Sequence, residues 1–112
     1  MKIAIPLAGG KLCMHFGHCE KFAIIDVDPG TKKITGKEEL DAPEHQPGLL
    51  PEWLARLEVQ VAIAGGMGQR AQELFAEQGI KVVTGAPVDT PECLVAGYLA
   101  GTLQTGENVC DH

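Results

Sequence analysis

Apolar positions along the chain fall into short runs separated by glycine- and proline-marked breaks. Residues 2–7 form a nearly continuous apolar run that ends at Gly9-Gly10. Such a run predicts a buried first strand. Residues 8–20 read as a long loop. Residues 22–28 predict a second strand, and Asp28-Pro29-Gly30-Thr31 has turn composition. Residues 33–40 return as a more polar third strand, suited to a sheet edge. The two are close enough in sequence to pair as an antiparallel hairpin.

The period then changes. Leu49, Leu50, Trp53, Leu54 and Leu57 recur at helical spacing and make one apolar face. Pro51 fits that helix only in its first turn, where a missing N–H costs little. Residues 59–64 are a short, almost unbroken apolar run, as expected of a central parallel strand. Gly65-Gly66-Met67-Gly68 follows, and then a helix over 69–78 with Ala71, Leu74 and Phe75 on its inner face. Gly79 suits the position just past its end. Residues 80–84 predict the last strand. Pro91 near the first helical position, with Asp89 and Glu92 spaced as a capping box, opens a final helix that runs to about Gly101. Its buried residues should be Leu94, Val95, Tyr98 and Leu99.

The predicted order is β-β-β-α-β-α-β-α. This is an α/β domain over 1–104, with a five-stranded mixed sheet, helices on both faces and a short tail over 105–112. Right-handed crossovers make the second half parallel. The loops 8–20, 41–48, 65–68 and 85–90 then emerge at one end of the sheet, where open α/β sheets bind ligands.

Composition narrows the function. The chain has 112 residues, one domain's worth, and a net charge of −6 from 9 basic and 15 acidic residues. That sign opposes general nucleic-acid binding and attraction to anionic membranes. No signal peptide and no apolar run of membrane-spanning length is present, so a cytoplasmic protein with reduced thiols is expected. Serine is absent, which excludes a serine nucleophile, and the central strands carry no Asp or Glu for a two-metal nuclease.

The densest chemistry is Cys13-Met14-His15-Phe16-Gly17-His18-Cys19. Thiols and imidazoles suit soft and borderline metals. The spacing lacks the paired C-x₂-C of a structural zinc site. Cys19 equally suits a small buried hydrophobe, Phe16 a core plug, His18 a solvated loop residue and Met14 packing. His45 lies in a Pro-rich loop at the same predicted end. Cys93 falls in the first turn of the last helix, where the helix dipole favours a thiolate, although a core cysteine is the plainer reading. Cys110-Asp111-His112 ends the chain as a weaker ligand pair. The Gly65–Gly68 turn could offer backbone N–H groups to an anion, or simply be a tight strand–helix turn. It does not match a nucleotide-binding glycine motif.

His15-Phe16-Gly17, with Phe22-Ala23-Ile24-Ile25-Asp26 and Val61-Ala62-Ile63-Ala64-Gly65-Gly66-Met67-Gly68, resembles the dinitrogenase iron–molybdenum cofactor biosynthesis family. That family takes in NifX- and NafY-type cofactor carriers, the C-terminal domain of NifB and the orange protein. The resemblance spans residues 1–104 and implies a ribonuclease-H-like fold. It implies a non-enzymatic carrier for an anionic metal–sulphur cluster of iron–molybdenum, molybdenum–copper or iron–sulphur type, working with cofactor-assembly or acceptor proteins. It also implies cluster contacts from His15, Phe16 and Gly17, and a wall formed by Gly65, Gly66, Met67 and Gly68. His45 would face the same loop. Cys13, His18 and Cys19 lie outside the shared pattern and would tune this chain. Two other readings stand beside it. One is a single zinc or copper ion held by Cys13, His15, His18 and Cys19. The other is a thiol enzyme using Cys13 or Cys19 with a histidine base.

Overall fold

The computed structural model describes residues 1–13, 19–42, 49–101 and 103. The predicted elements form in the predicted order, with one addition. The strands are β1 (Lys2–Ala8), β2 (Lys11–Leu12), β3 (Lys21–Asp28), β4 (Lys33–Asp41), β5 (Val61–Ile63) and β6 (Lys81–Val83). The helices are α1 (Leu49–Arg56), α2 (Gln69–Glu77) and α3 (Pro91–Ala100). The sheet therefore has six strands and not five. The extra one, β2, is a two-residue strand inside the expected loop 8–20, folded back on β1 after the left-handed glycines Gly9 and Gly10. Two residues are too few for any hydrophobic period to reveal.

The strand order is β4-β3-β1-β5-β6. β1 pairs antiparallel with β3 and parallel with β5, β3 pairs antiparallel with β4, and β5 pairs parallel with β6. β1, β4, β5 and β6 thus point the same way. The polar β4 lies at the edge, as its composition predicts.

Side chains alternate across the sheet and build two cores. Ile3, Ile5, Ala23, Ile25, Val61 and Ile63 face Leu94 and Val95 of α3. Ala4, Phe22, Ile24 and Ala62 face Leu54 of α1 and Phe75 of α2. Both crossovers, β4 to β5 through α1 and β5 to β6 through α2, advance in the same direction along the sheet. One handedness therefore puts α1 and α2 on one face and leaves the other to α3. Trp53 meets Phe22 edge-on at 5.6 Å, sealing α1 to the sheet.

The end of α2 is as expected, with Gly79 left-handed at φ 75°. The start of α3 differs. Thr90 is the N-cap, and its hydroxyl accepts from the Cys93 N–H at 3.4 Å. Asp89 accepts instead from the Thr90 N–H, and Glu92 pairs with Lys37 of β4. Thr-Pro places its hydroxyl one residue nearer the helix than an Asp89 cap would, so the Asp89/Glu92 capping box does not form. The tail over 105–112 lies outside the described residues.

Candidate functional site at the carboxyl end of the sheet

From β1 the chain first passes through β2 on the β5 flank and then crosses to β3 on the other flank, whereas from β5 it runs on to β6. The gap between β1 and β5 is thus the point where connections diverge, the position at which open α/β sheets accept ligands. The two segments that emerge there are the cysteine- and histidine-bearing loop after β1 and the Gly65–Gly68 turn after β5.

Backbone hydrogen bonds show how the gap opens. Odd residues of β1 turn their backbone groups to β3: Met1 and Val27 exchange bonds of 3.0 and 2.8 Å, and the Glu20 N–H donates to Leu7 C=O at 2.9 Å. Even residues face the β5 side, where the Gln60 N–H donates to Lys2 C=O at 3.0 Å. Pro6 is an even residue and has no N–H to give. Pairing of β1 with β5 stops at Ile3 and Ala4, and the Pro6 C=O accepts the Cys13 N–H at 2.9 Å instead. The hairpin arm carrying Cys13 therefore occupies the lane along which β5 would have continued. The chain turns away from that lane at Ala64, directly into the glycines. The Leu12 N–H donates to Asp89 C=O at 3.0 Å, tying the hairpin to the loop before α3.

Register also fixes faces. Leu12 opposes Leu7, so Cys13 falls opposite Pro6, which opposes Phe22. Cys13 therefore lies on the α1/α2 face, and it is buried at 8% exposure. Cys19 is half-buried and packs against the apolar cluster of that same face, which also contains Ala64 and Met67. Burial, with a smaller contribution from the nearby Cys13 charge, pushes the Cys19 thiol from 9.0 to about 11. It is a neutral S–H at physiological pH, which makes it a poor nucleophile there and removes support from a thiol enzyme based on Cys19.

Lys11 opposes Ala8 and so shares a face with Cys13, and Lys21 stands at the same end of the sheet. Both are exposed. Lys21 pairs with the Asp41 carboxylate at 4.0 Å, so Lys11, two residues from Cys13, is the lysine that supplies local positive charge on that face. Gly65, Gly66 and Met67 are buried. Gly68 has φ −63° and ψ 155°, an extended backbone open to any residue, so a left-handed conformation does not require glycine there. The α2 amino end points out of this turn, with the Gln72 amide held to Met67 C=O at 2.9 Å.

His15, Phe16, Gly17 and His18, together with Met14 and His45, lie outside the described residues. Among the described residues no group of three or more His, Cys, Asp or Glu is arranged to hold a metal ion. Cys93 is exposed and not a core cysteine, because the inward positions of α3 are taken by Leu94 and Val95. Among the described residues no helix is long and apolar enough to cross a membrane.

Comparison with known proteins agrees with this architecture. The uncharacterized protein MJ0580 of Methanocaldococcus jannaschii is 32% identical over 112 residues, covering 96% of this chain and 92% of that protein. The crystal structure of PH0822 superposes with a TM-score of 0.87 at 25% identity, over 96% of both chains. The apo orange protein of Desulfovibrio gigas superposes with a TM-score of 0.75 at 24% identity, over 96% of this chain and 93% of that one, a likeness of fold. Residues 1–101 match the family described as dinitrogenase iron-molybdenum cofactor, and a match over nine-tenths of the chain makes this protein a member of that family.

Proposed function

We propose that this protein is a carrier that binds an anionic metal–sulphur cluster at the carboxyl end of its sheet and hands it to an assembly or acceptor protein. The observation that carries this reading is the divergence of the chain between β1 and β5. It brings the Cys13–Cys19 segment and the Gly65–Gly68 turn out of adjacent parallel strands. The family points to a cargo of the iron–molybdenum cofactor kind. Molybdenum–copper and iron–sulphur clusters share the same chemistry: a compact anion with soft sulphur edges.

Such a cargo suits the surroundings. Exposed Lys11 attracts an anion locally against the net charge. The α2 amino end and the glycine backbone offer N–H donors to sulphide. Ala64, Met67 and the half-buried Cys19 make a soft, weakly polar wall. His15, with Phe16 and Gly17, would contact the cluster from the loop, and His45 from the loop before α1. Held by hydrogen bonds, charge and packing, a cluster can leave again. A closed four-ligand site would retain it. The role requires no catalytic group, and the protein is read as a binding protein of the cytoplasm.

The test is an anaerobic titration with tetrathiomolybdate, with and without copper, followed by backbone amide spectra. Shifts concentrated in residues 13–19 and 65–68 are expected. Shifts confined to other surfaces, or none at a severalfold excess of ligand, would refute the carrier reading.

A further inference from the structure

Among the described residues α3 alone covers its face of the sheet, and it lacks the polar stripe of a surface helix. After Glu92 it carries no charged side chain, and its exposed residues are Cys93, Ala96 and Ala100. The exposed side of α1 carries Glu52 and Arg56, and that of α2 carries Arg70, Glu73 and Glu77. A helix that is apolar all round is normally covered. We propose that residues 104–112 of this chain supply the cover. They form a strap that runs antiparallel to α3 along the flank of Gly97 and Cys93. The inference goes beyond the cargo reading and does not depend on it.

The point at which the described chain ends fixes both the occupant and its direction. The chain leaves α3 at Gly101, left-handed at φ 74°. Two residues later the Leu103 N–H donates to Gly97 C=O at 3.0 Å, and Leu103 packs half-buried against the core cluster beneath α3. Gly97 lies about one helical turn, ~6 Å, nearer the amino end of α3 than Gly101. The chain is therefore already climbing back along the helix. The approach is close: a Cβ added at Gly97 would meet the Leu103 Cα at 3.4 Å and its N and Cβ at 3.5 Å. Glycine at this position lets the returning backbone lie against the helix.

Spacing then sets the register. Cys93, four residues before Gly97, sits on the same flank one turn higher. Two further extended residues rise ~7 Å, which brings Thr105 level with Cys93. Residues 104–112 can span ~30 Å, whereas only ~9 Å separate Gly97 from the start of α3 at Pro91. The strap passes the start of α3 at about residue 106 and sends Cys110 and His112 on toward the carboxyl end of the sheet. Charge agrees with this register. Gln104, Thr105 and Gly106, which lie on the apolar flank, are uncharged, and Glu107 and Asp111 come only beyond it.

The test is disulfide trapping in the full chain, with oxidised glutathione as the oxidant. One variant carries Thr105→Cys and Cys110→Ser. A control adds Glu92→Cys and Cys93→Ser, which moves the helix thiol to the flank that faces Lys37 of β4 at nearly the same height. Chymotryptic cleavage after Tyr98, read by mass spectrometry, shows whether the two segments are joined. The bond to Cys93 should form at least ~10-fold faster than the bond in the control, because a docked strap concentrates the tail thiol on one flank only. With every cysteine in α3 unchanged, deletion of residues 104–112 should shift the backbone amide signals of Cys93 and Ala96 and leave those of α2 in place. Equal rates in the two variants would mean a tail with no preferred flank. A Cys93–Cys93 bond between chains would mean that a second copy covers α3. Either result, or amide signals that stay in place after the deletion, overturns the proposal.

Discussion

In the metal-free protein, Cys19 should react with alkylating agents as a thiol whose proton is held until strongly alkaline pH. Burial and the Cys13 charge push its value from 9.0 to about 11. At pH 8 a thiol at 9.0 is ~10% thiolate, whereas one near 11 is ~0.1%. That is ~100-fold fewer reactive groups. A more basic thiolate is also more nucleophilic, by ~10-fold over this interval, so the net rate at pH 8 should be about tenfold below that of an ordinary thiol. The shape of the profile is the stronger diagnostic. Pulsed iodoacetamide labelling from pH 7 to 11.5, read by mass spectrometry on the Cys19 peptide, should rise steadily and bend only near 11. The same shift has a stability consequence. The unfolded chain sheds this proton above 9.0 while the native state keeps it, so the stability it contributes is present below pH 9 and is lost between pH 9 and 11. The full linkage would be ~2.7 kcal/mol, and partial exposure of the thiol reduces this to about 1–2 kcal/mol. Cys19→Ala should remove that part of the alkaline decline. A labelling profile that levels off at or below pH 9 would refute the account of a desolvated thiol at this end of the sheet.

Other consequences are simpler. Phe75 is fully buried between α2 and the sheet, so Phe75→Ala should cost about 3–5 kcal/mol in urea unfolding, among the largest losses of any single truncation. Gly79 sits at φ +75° with nothing within 4 Å of an added Cβ. Gly79→Ala should therefore cost about 1–2 kcal/mol from backbone strain alone, and Asn there should cost less. The Lys37–Glu92 pair joins β4 to α3, lowering the Glu92 carboxyl and raising the Lys37 ammonium, each chiefly through their mutual hydrogen bond. Both groups are well exposed, so Glu92→Gln should cost under about 1 kcal/mol. The difference from the parent chain should vanish at 1 M salt, and should also fade as pH falls through the carboxylate range.

Much of the fold that frames the candidate site was legible in the chain. Alternating strand and helix periods, with breaks at glycine and proline, were enough to order the elements and to send four loops to one end. Local spacing captured Gly79 and the position of Pro91, because helix ends are decided by adjacent residues. It failed where two local candidates competed: Thr90 and Asp89 are both good caps, and only the path of the chain into α3 selects Thr90. Cys93 is exposed where its sequence suits a core cysteine, because α3 is apolar almost all round and has no polar stripe to mark its outward side.

What the sequence determined by itself was the alternation of apolar runs and turns, and with it the α/β class, because those periods are properties of neighbouring residues. The tertiary structure alone decided that Pro6, unremarkable within a strand, ends the ladder between β1 and β5, since a missing N–H matters only when a partner strand would have used it. It likewise decided that Cys13 and Cys19, six residues apart on one loop, come to the same face. That outcome depends on which flank of β1 each is bonded to, and cross-strand hydrogen bonds, not sequence spacing, make that choice.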